Sequence, residues 1–259
     1  MTSQPLQIPP PSSLPLSRRP GPLSLARAFT VVSGGPLLAL AAAVTAPVAA
    51  VRRWPARLAS APARRTAWAA TAAGLSLPWL YAGLVRPWLQ HWGSTPEERS
   101  RRLPGDGDTE PLSVATRAVT VRAPAEEVWR WLVQIGQDKA GFYSYDWLEN
   151  LAGCRLHTAT RVHPQWQDLH PGDALTLFPG VATRVNEVDP PRALVIEGWG
   201  AYLVEPDGDG CCRLLARSHV DRDPRALAYY AGLELPHAVM ERRMLLGIKQ
   251  QAEAAAHRI

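Results

Sequence analysis

No Asp, Glu or Lys occurs in the first 92 positions, which carry nine arginines, whereas positions 93–259 hold the other 19 basic residues and all 23 acidic ones. The net charge of +5 is therefore +9 followed by −4. A chain divided in this way folds as two parts with different surroundings. The arginines flank apolar stretches, an arrangement that suits anionic lipid headgroups. No DNA-reading helix or finger motif accompanies them, so nucleic acid is not an expected partner.

Residues 1–27 form a proline-rich arm, with seven prolines in the first 22 positions, and this composition predicts disorder. Residues 28–92 read as a membrane region with two candidate spans. Positions 28–51 and 66–85 carry no charge. As helices they reach roughly 36 and 30 Å at 1.5 Å per residue, enough for a bilayer core. Gly34, Gly35, Pro36 and Pro47 weaken the first, which also admits reading as a secretory signal with a small-residue site near Ala46–Ala50. Trp68, Trp79, Tyr81 and Trp88 lie in or beside the second and suit an interfacial belt. Arginines flank both ends of both runs, so the side of the membrane that holds the rest of the chain stays open.

Residues 93–115 read as a linker with a short helix. Thr95-Pro96-Glu97-Glu98 is an N-cap, a first-turn proline and a capping-box glutamate. The Asp/Gly alternation at 105–108 lacks the rest of a calcium loop and reads as a turn. A soluble domain follows over 116–259. Thr116–Val121 alternates as a strand. Pro124 opens a helix with Val128, Trp131, Leu132 and Ile135 on one face, stopped by Gly136, and a second short helix covers Ser144–Ala152. Five strand-length segments come next, at 174–178, 181–188, 193–199, 201–205 and 211–220, with Asp207-Gly208-Asp209-Gly210 as a hairpin turn. A long helix opened by Pro236 carries Met240, Met244, Ile248, Ala252 and Ala255 down one stripe. The fold class is α+β, with an antiparallel sheet and a long C-terminal helix. Cys154, Cys211 and Cys212 make no disulfide framework.

Several runs carry a resemblance. They are Ala123-Pro124-Ala125-Glu126-Glu127-Val128-Trp129, Gln134-Ile135-Gly136-Gln137, Gly141-Phe142-Tyr143-Ser144-Tyr145-Asp146-Trp147-Leu148-Glu149-Asn150, Pro171-Gly172-Asp173 and Met240–Lys249. Over about residues 92–250 the chain resembles the SRPBCC proteins of the START/Bet v 1-like superfamily, in particular bacterial polyketide cyclase/dehydrase-like members with membrane helices ahead of the domain. The resemblance implies a helix-grip fold with an apolar cavity between sheet and C-terminal helix, and a small hydrophobic or amphipathic ligand. It implies no cofactor, and it does not by itself imply catalysis. A His-Asn-Ala-Asp run that often follows the motif reads His157-Thr158-Ala159-Thr160 here, so the Asn and Asp of that run are replaced by threonines.

Tyr143, Tyr145, Trp147 and Asn150 are the candidate lining of the cavity mouth, and Leu214, Ala216, Met240 and Met244 of its wall. The competing reading makes the aromatics core anchors and Asp146 a helix cap. An enzyme of the cyclase/dehydratase kind would need a general acid or base, for which His157, His219, Asp146 and Glu197 are the candidates. The spacings of His157, His163 and His170 match no metal motif, and no metal is expected.

Overall fold

In the computed structural model the described residues are 79–151, 153–223 and 232–258, with Arg65, Trp68, Ala69, Ala72 and Ser76 singly ahead of them. The arm and the first candidate span lie outside them. The described members of the second span, from Trp68 to Val85, are helical and, Tyr81 apart, exposed. Among the described residues no helix is long and apolar enough to cross a membrane.

The chain enters through a π-helical turn, Tyr81–Val85, that runs into α1, Arg86–His91. Helix α2, Pro96–Ser100, has the capping box the sequence predicts: Thr95 Oγ1 accepts from Glu98 N, and Thr95 N donates to the Glu98 carboxylate. Strand β1 is Ser113–Val121, α3 Ala125–Leu132 and α4 Asp146–Leu151. Strands β2 (Ala174–Phe178), β3 (Val181–Asp189), β4 (Ala193–Ile196), β5 (Gly200–Pro206) and β6 (Cys212–Val220) lead to α5, Glu234–Ala256. The six strands form one antiparallel sheet in the order β1-β6-β5-β4-β3-β2. Sequential hairpins give most of that order. Pairing of β6 with β1 joins the ends of the strand sequence and leaves α3 and α4 as the excursion between β1 and β2.

Register decides the faces that alternation alone leaves open, because a one-residue slip would exchange them. Leu194, Tyr202, Ala216 and Arg117 stand opposite one another across four strands. This face belongs to the main core, together with Leu214, Met244, Leu245, Ile248, Val128 and Trp131. Val195, Ala201, Arg217 and Thr116 form the row on the other face, and Val195 and Ala201 pack there with Leu203, Leu215, Ala118 and Leu103. Residues 93–115, read from sequence as a linker, cover this second face. Leu103 is buried in it, and the Arg213 guanidinium forks onto both oxygens of Glu98 at 2.8 Å. A fork on a carboxylate holds orientation as well as charge.

Helix α5 lies across the first face in a fixed direction. Lys249 Nζ donates to Thr120 O and the Arg122 amide donates to Glu253, so its C-terminal half sits by the end of β1. Its first turn lies at the opposite end, where β1 begins and β6 finishes. At Gly247 the helix touches the 141–143 loop so closely that a Cβ would stand 2.3 Å from Tyr143 O, and Tyr143 itself holds a left-handed φ of 53°.

Candidate functional site

The predicted wall residues Leu214, Ala216 and Met244 are all in the core between sheet and α5, each 2% exposed or less. Met240 is half-buried, and its carbonyl accepts from Ser144 Oγ at 3.1 Å. Tyr143 goes to the same core, where it meets Trp131 edge to face at 6.0 Å. Its hydroxyl accepts from Gln134 Nε2 at 2.6 Å, while the Gln134 carbonyl accepts from His163 N. Tyr143 is thus an anchor whose polar tip is satisfied, as buried tyrosines require.

The other mouth candidates lie on and beside α4. Asp146 accepts from both the amide and the hydroxyl of Thr158. Asn150, one turn on, donates to Leu156 O at 3.0 Å and accepts from Leu156 N at 2.6 Å. The pair clamps the 154–158 loop to the helix, so Asp146 and Asn150 act as braces. Tyr145 is half-buried, and Trp147 stands 67% exposed on the same helix.

None of the four acid/base candidates points into the sheet–helix interior. His157 is exposed, and Asp146 is committed to Thr158. Glu197 and His219 lie together, but in a cleft on the outer face, between the 99–111 segment and the ends of β4, β5 and β6. This cleft has a volume of about 560 Å³, and Trp199, Arg217 and Asp221 also line it. His219 Nε2 sits 2.9 Å from Asp106 Oδ1. Asp106 Oδ2 accepts from Leu103 N at 2.9 Å and from Arg217 Nη1 at 2.7 Å. Arg217 is buried and also donates to the carbonyls of Glu98, Arg99 and Arg101, capping the C-terminal end of α2. A cation among the last carbonyls of a helix is a favourable arrangement. The Arg217–Asp106–His219 group therefore ties the covering segment to the sheet.

Two features of the interior were not singled out from sequence. Arg117 and Glu241 form an ion pair that is almost wholly buried. Arg117 Nε also donates to Leu89 O at 2.6 Å, and the Tyr202 hydroxyl lies 3.4 Å from Glu241 Oε1. Burial, and then Glu241, push the Tyr202 phenol well above its usual range, so it stays protonated. The signal for this pair is an arginine on the inward phase of β1 and a glutamate at the start of the α5 stripe, visible once register is known. The second feature is Glu149. It is 6% exposed, and neither carboxyl oxygen has a hydrogen-bond partner. Burial first and Asp146 second push it up to about 7. Among the described residues no group of His, Cys, Asp and Glu is arranged to hold a metal ion.

Most of the exposed large apolar side chains among the described residues lie in two segments that meet. Trp79, Leu80, Leu84, Val85 and Trp88 lie in the entering helical segment, and Leu235 and Val239 in the first two turns of α5. The two segments meet at Glu234, which takes Arg86 Nε at 2.7 Å, Gln90 Nε2 at 3.2 Å and the Tyr81 hydroxyl at 3.3 Å. Arg242 then covers the Trp92 ring at 4.5 Å. Leu112, also exposed, precedes β1 at this same end and bonds to Val220 O.

The fold class these elements define is α+β, a six-stranded antiparallel sheet with a long C-terminal helix. No family profile and no curated protein sequence matches the chain. Among solved structures it is similar to protein Ms6760 from Mycobacterium smegmatis, with 16% identity and a TM-score of 0.32 over 56% of this chain and 91% of the other. It is also similar to CalU16 from Micromonospora echinospora, with 17% identity and a TM-score of 0.26 over 56% of this chain and 86% of the other. At these scores neither likeness adds to the fold that the sheet itself defines.

Proposed function

We propose that this protein is a membrane-anchored binding module of the SRPBCC, START/Bet v 1-like kind, holding a small hydrophobic or amphipathic ligand between its sheet and C-terminal helix. The observation that carries the reading is the gathering of exposed apolar side chains at one end of the domain. Contiguous exposed apolar surface is uncommon on a freely dissolved domain and marks a contact with lipid or a partner. Here it continues an uncharged run with aromatic residues at its edge, as a helix leaving a bilayer would. A ligand drawn from the bilayer would reach the domain at this end, where α5 begins.

The alternative, a cyclase/dehydratase with its acid and base inside the cavity, draws no support from His157, His219, Asp146 or Glu197. All four stand outside that interior, so binding is preferred.

Flotation with phosphatidylglycerol/phosphatidylethanolamine vesicles tests the membrane contact on a chain beginning at Trp79, which retains the apolar end, lacks the first candidate span and keeps only residues 79–85 of the second, too short to cross a bilayer. It is expected to float with the vesicles, and Leu84→Glu with Leu235→Glu is expected to lower the floated fraction about tenfold. A chain that stays at the bottom with or without the substitutions would remove the basis of the reading.

A further inference from the structure

We propose that Glu149 is the polar anchor of the interior ligand site and that the ligand offers it an uncharged hydroxyl or carbonyl group. This rests on the ligand-binding reading above. Helix α4 has three polar residues in register with the domain. Asp146 and Asn150 are spent on Thr158 and Leu156, whereas the carboxyl of Glu149, between them, bonds to no described side chain or backbone group. Buried polar atoms are nearly always satisfied, so a carboxyl with both oxygens unpartnered calls for a physical account, of which a ligand group is one. The Glu149 carboxyl is buried and lies near Cys154. The Cys154 thiol is pushed up to about 11 by its burial and then by Glu149, and Cys154 belongs to the core cluster that contains Tyr143, Met244 and Ile248.

The chemistry of the site narrows the ligand. Two described titratable groups act on or beside the carboxyl: Asp146 on the same helix and Cys154 in the loop that follows. Asp146 accepts from Thr158, Cys154 is a neutral thiol, and among the described residues no cation is a named influence on the Glu149 carboxyl. With its titration near neutrality, Glu149 carries an O–H to donate and a carbonyl to accept for much of the physiological range. An alcohol or ketone on an apolar body matches both functions. A fatty carboxylate or a phosphate would meet Asp146 without a compensating charge.

Native mass spectrometry of the full-length protein in a maltoside detergent, with equimolar tetradecanol, tetradecanoate and tetradecylamine, tests this at pH 6 and pH 8.5. The tetradecanol adduct is expected to exceed the tetradecanoate adduct about tenfold at pH 6 and to fall severalfold at pH 8.5. Glu149→Gln, which keeps a donor and an acceptor, is expected to hold the alcohol at both pH values, and Glu149→Leu to lose it. A dominant acid or amine adduct, or an alcohol adduct unchanged in Glu149→Leu and by pH, overturns the assignment while leaving ligand binding intact. No adduct of any of the three overturns the binding reading with it.

Discussion

Glu149 also has a thermodynamic consequence, independent of any ligand. A carboxyl raised from its ordinary value to about 7 in the folded state binds its proton more tightly there than in the unfolded chain. Stability is therefore highest, as far as this group is concerned, below the unfolded pKa, falls as pH rises from about 4.5 to about 7, and is level beyond. At 1.36 kcal/mol per unit, the loss is roughly 3 kcal/mol. Thermal unfolding at pH 5 and pH 8 is expected to show Glu149→Gln more stable than the parent at pH 8 and nearly equal to it at pH 5. At Gly247 the constraint is steric. Gly247→Ala would force apart α5 and Tyr143, at a cost of about 1–3 kcal/mol, read as a lowered unfolding temperature. Breaking the Arg117–Glu241 pair by Arg117→Met would leave a buried carboxylate uncompensated and is expected to cost about 3–5 kcal/mol, much of it regained in Arg117→Met/Glu241→Leu. Sequence reading could not reach these residues, because an orphaned or paired charge is defined by neighbours distant in the chain. It placed Leu214, Ala216 and Met244 on the inner side, because alternation and helical spacing are local, whereas Tyr143, in a loop, was assigned to the cavity mouth with a core anchor as the competing reading.

Among elements, the strands and helices were legible to within a few residues, and so was the capping box at Thr95, since each depends on signals within one turn or hairpin. The role of the 93–115 segment was not. Its polar, turn-rich composition reads as a connector, and only pairing shows Leu103, Asp106 and Glu98 placed on the outer face of the sheet. The charge division near Trp92 likewise differs from the structural boundary. Leu89 is buried, its carbonyl accepts from Arg117, and Trp92 O accepts from Ala118 N. A chain starting at residue 79 keeps these contacts, whereas one starting at residue 93 leaves the Arg117 donor unmatched in the interior. The longer chain is therefore expected to unfold at a clearly higher temperature, and equal midpoints would show that α1 is not part of the domain.

For the whole molecule, the family resemblance implies a cavity between sheet and α5. The structure places core side chains along that interior and opens a separate polar cleft on the outer face. The two faces differ in chemistry. The inner holds Glu149 and the Arg117–Glu241 pair among apolar residues, while the outer is fastened by Arg213 and Arg217. Exposed apolar groups lie at the α1–α5 end, and in the function proposed above they face a bilayer. The central claim is that the interior holds a ligand, and native mass spectrometry of the full-length protein as purified from its own membranes tests it most directly. A discrete apolar adduct, retained on the folded chain through detergent exchange and released on unfolding, is the expected result. A folded chain that carries the bare polypeptide mass throughout, and takes up nothing from added lipid extract, would contradict it.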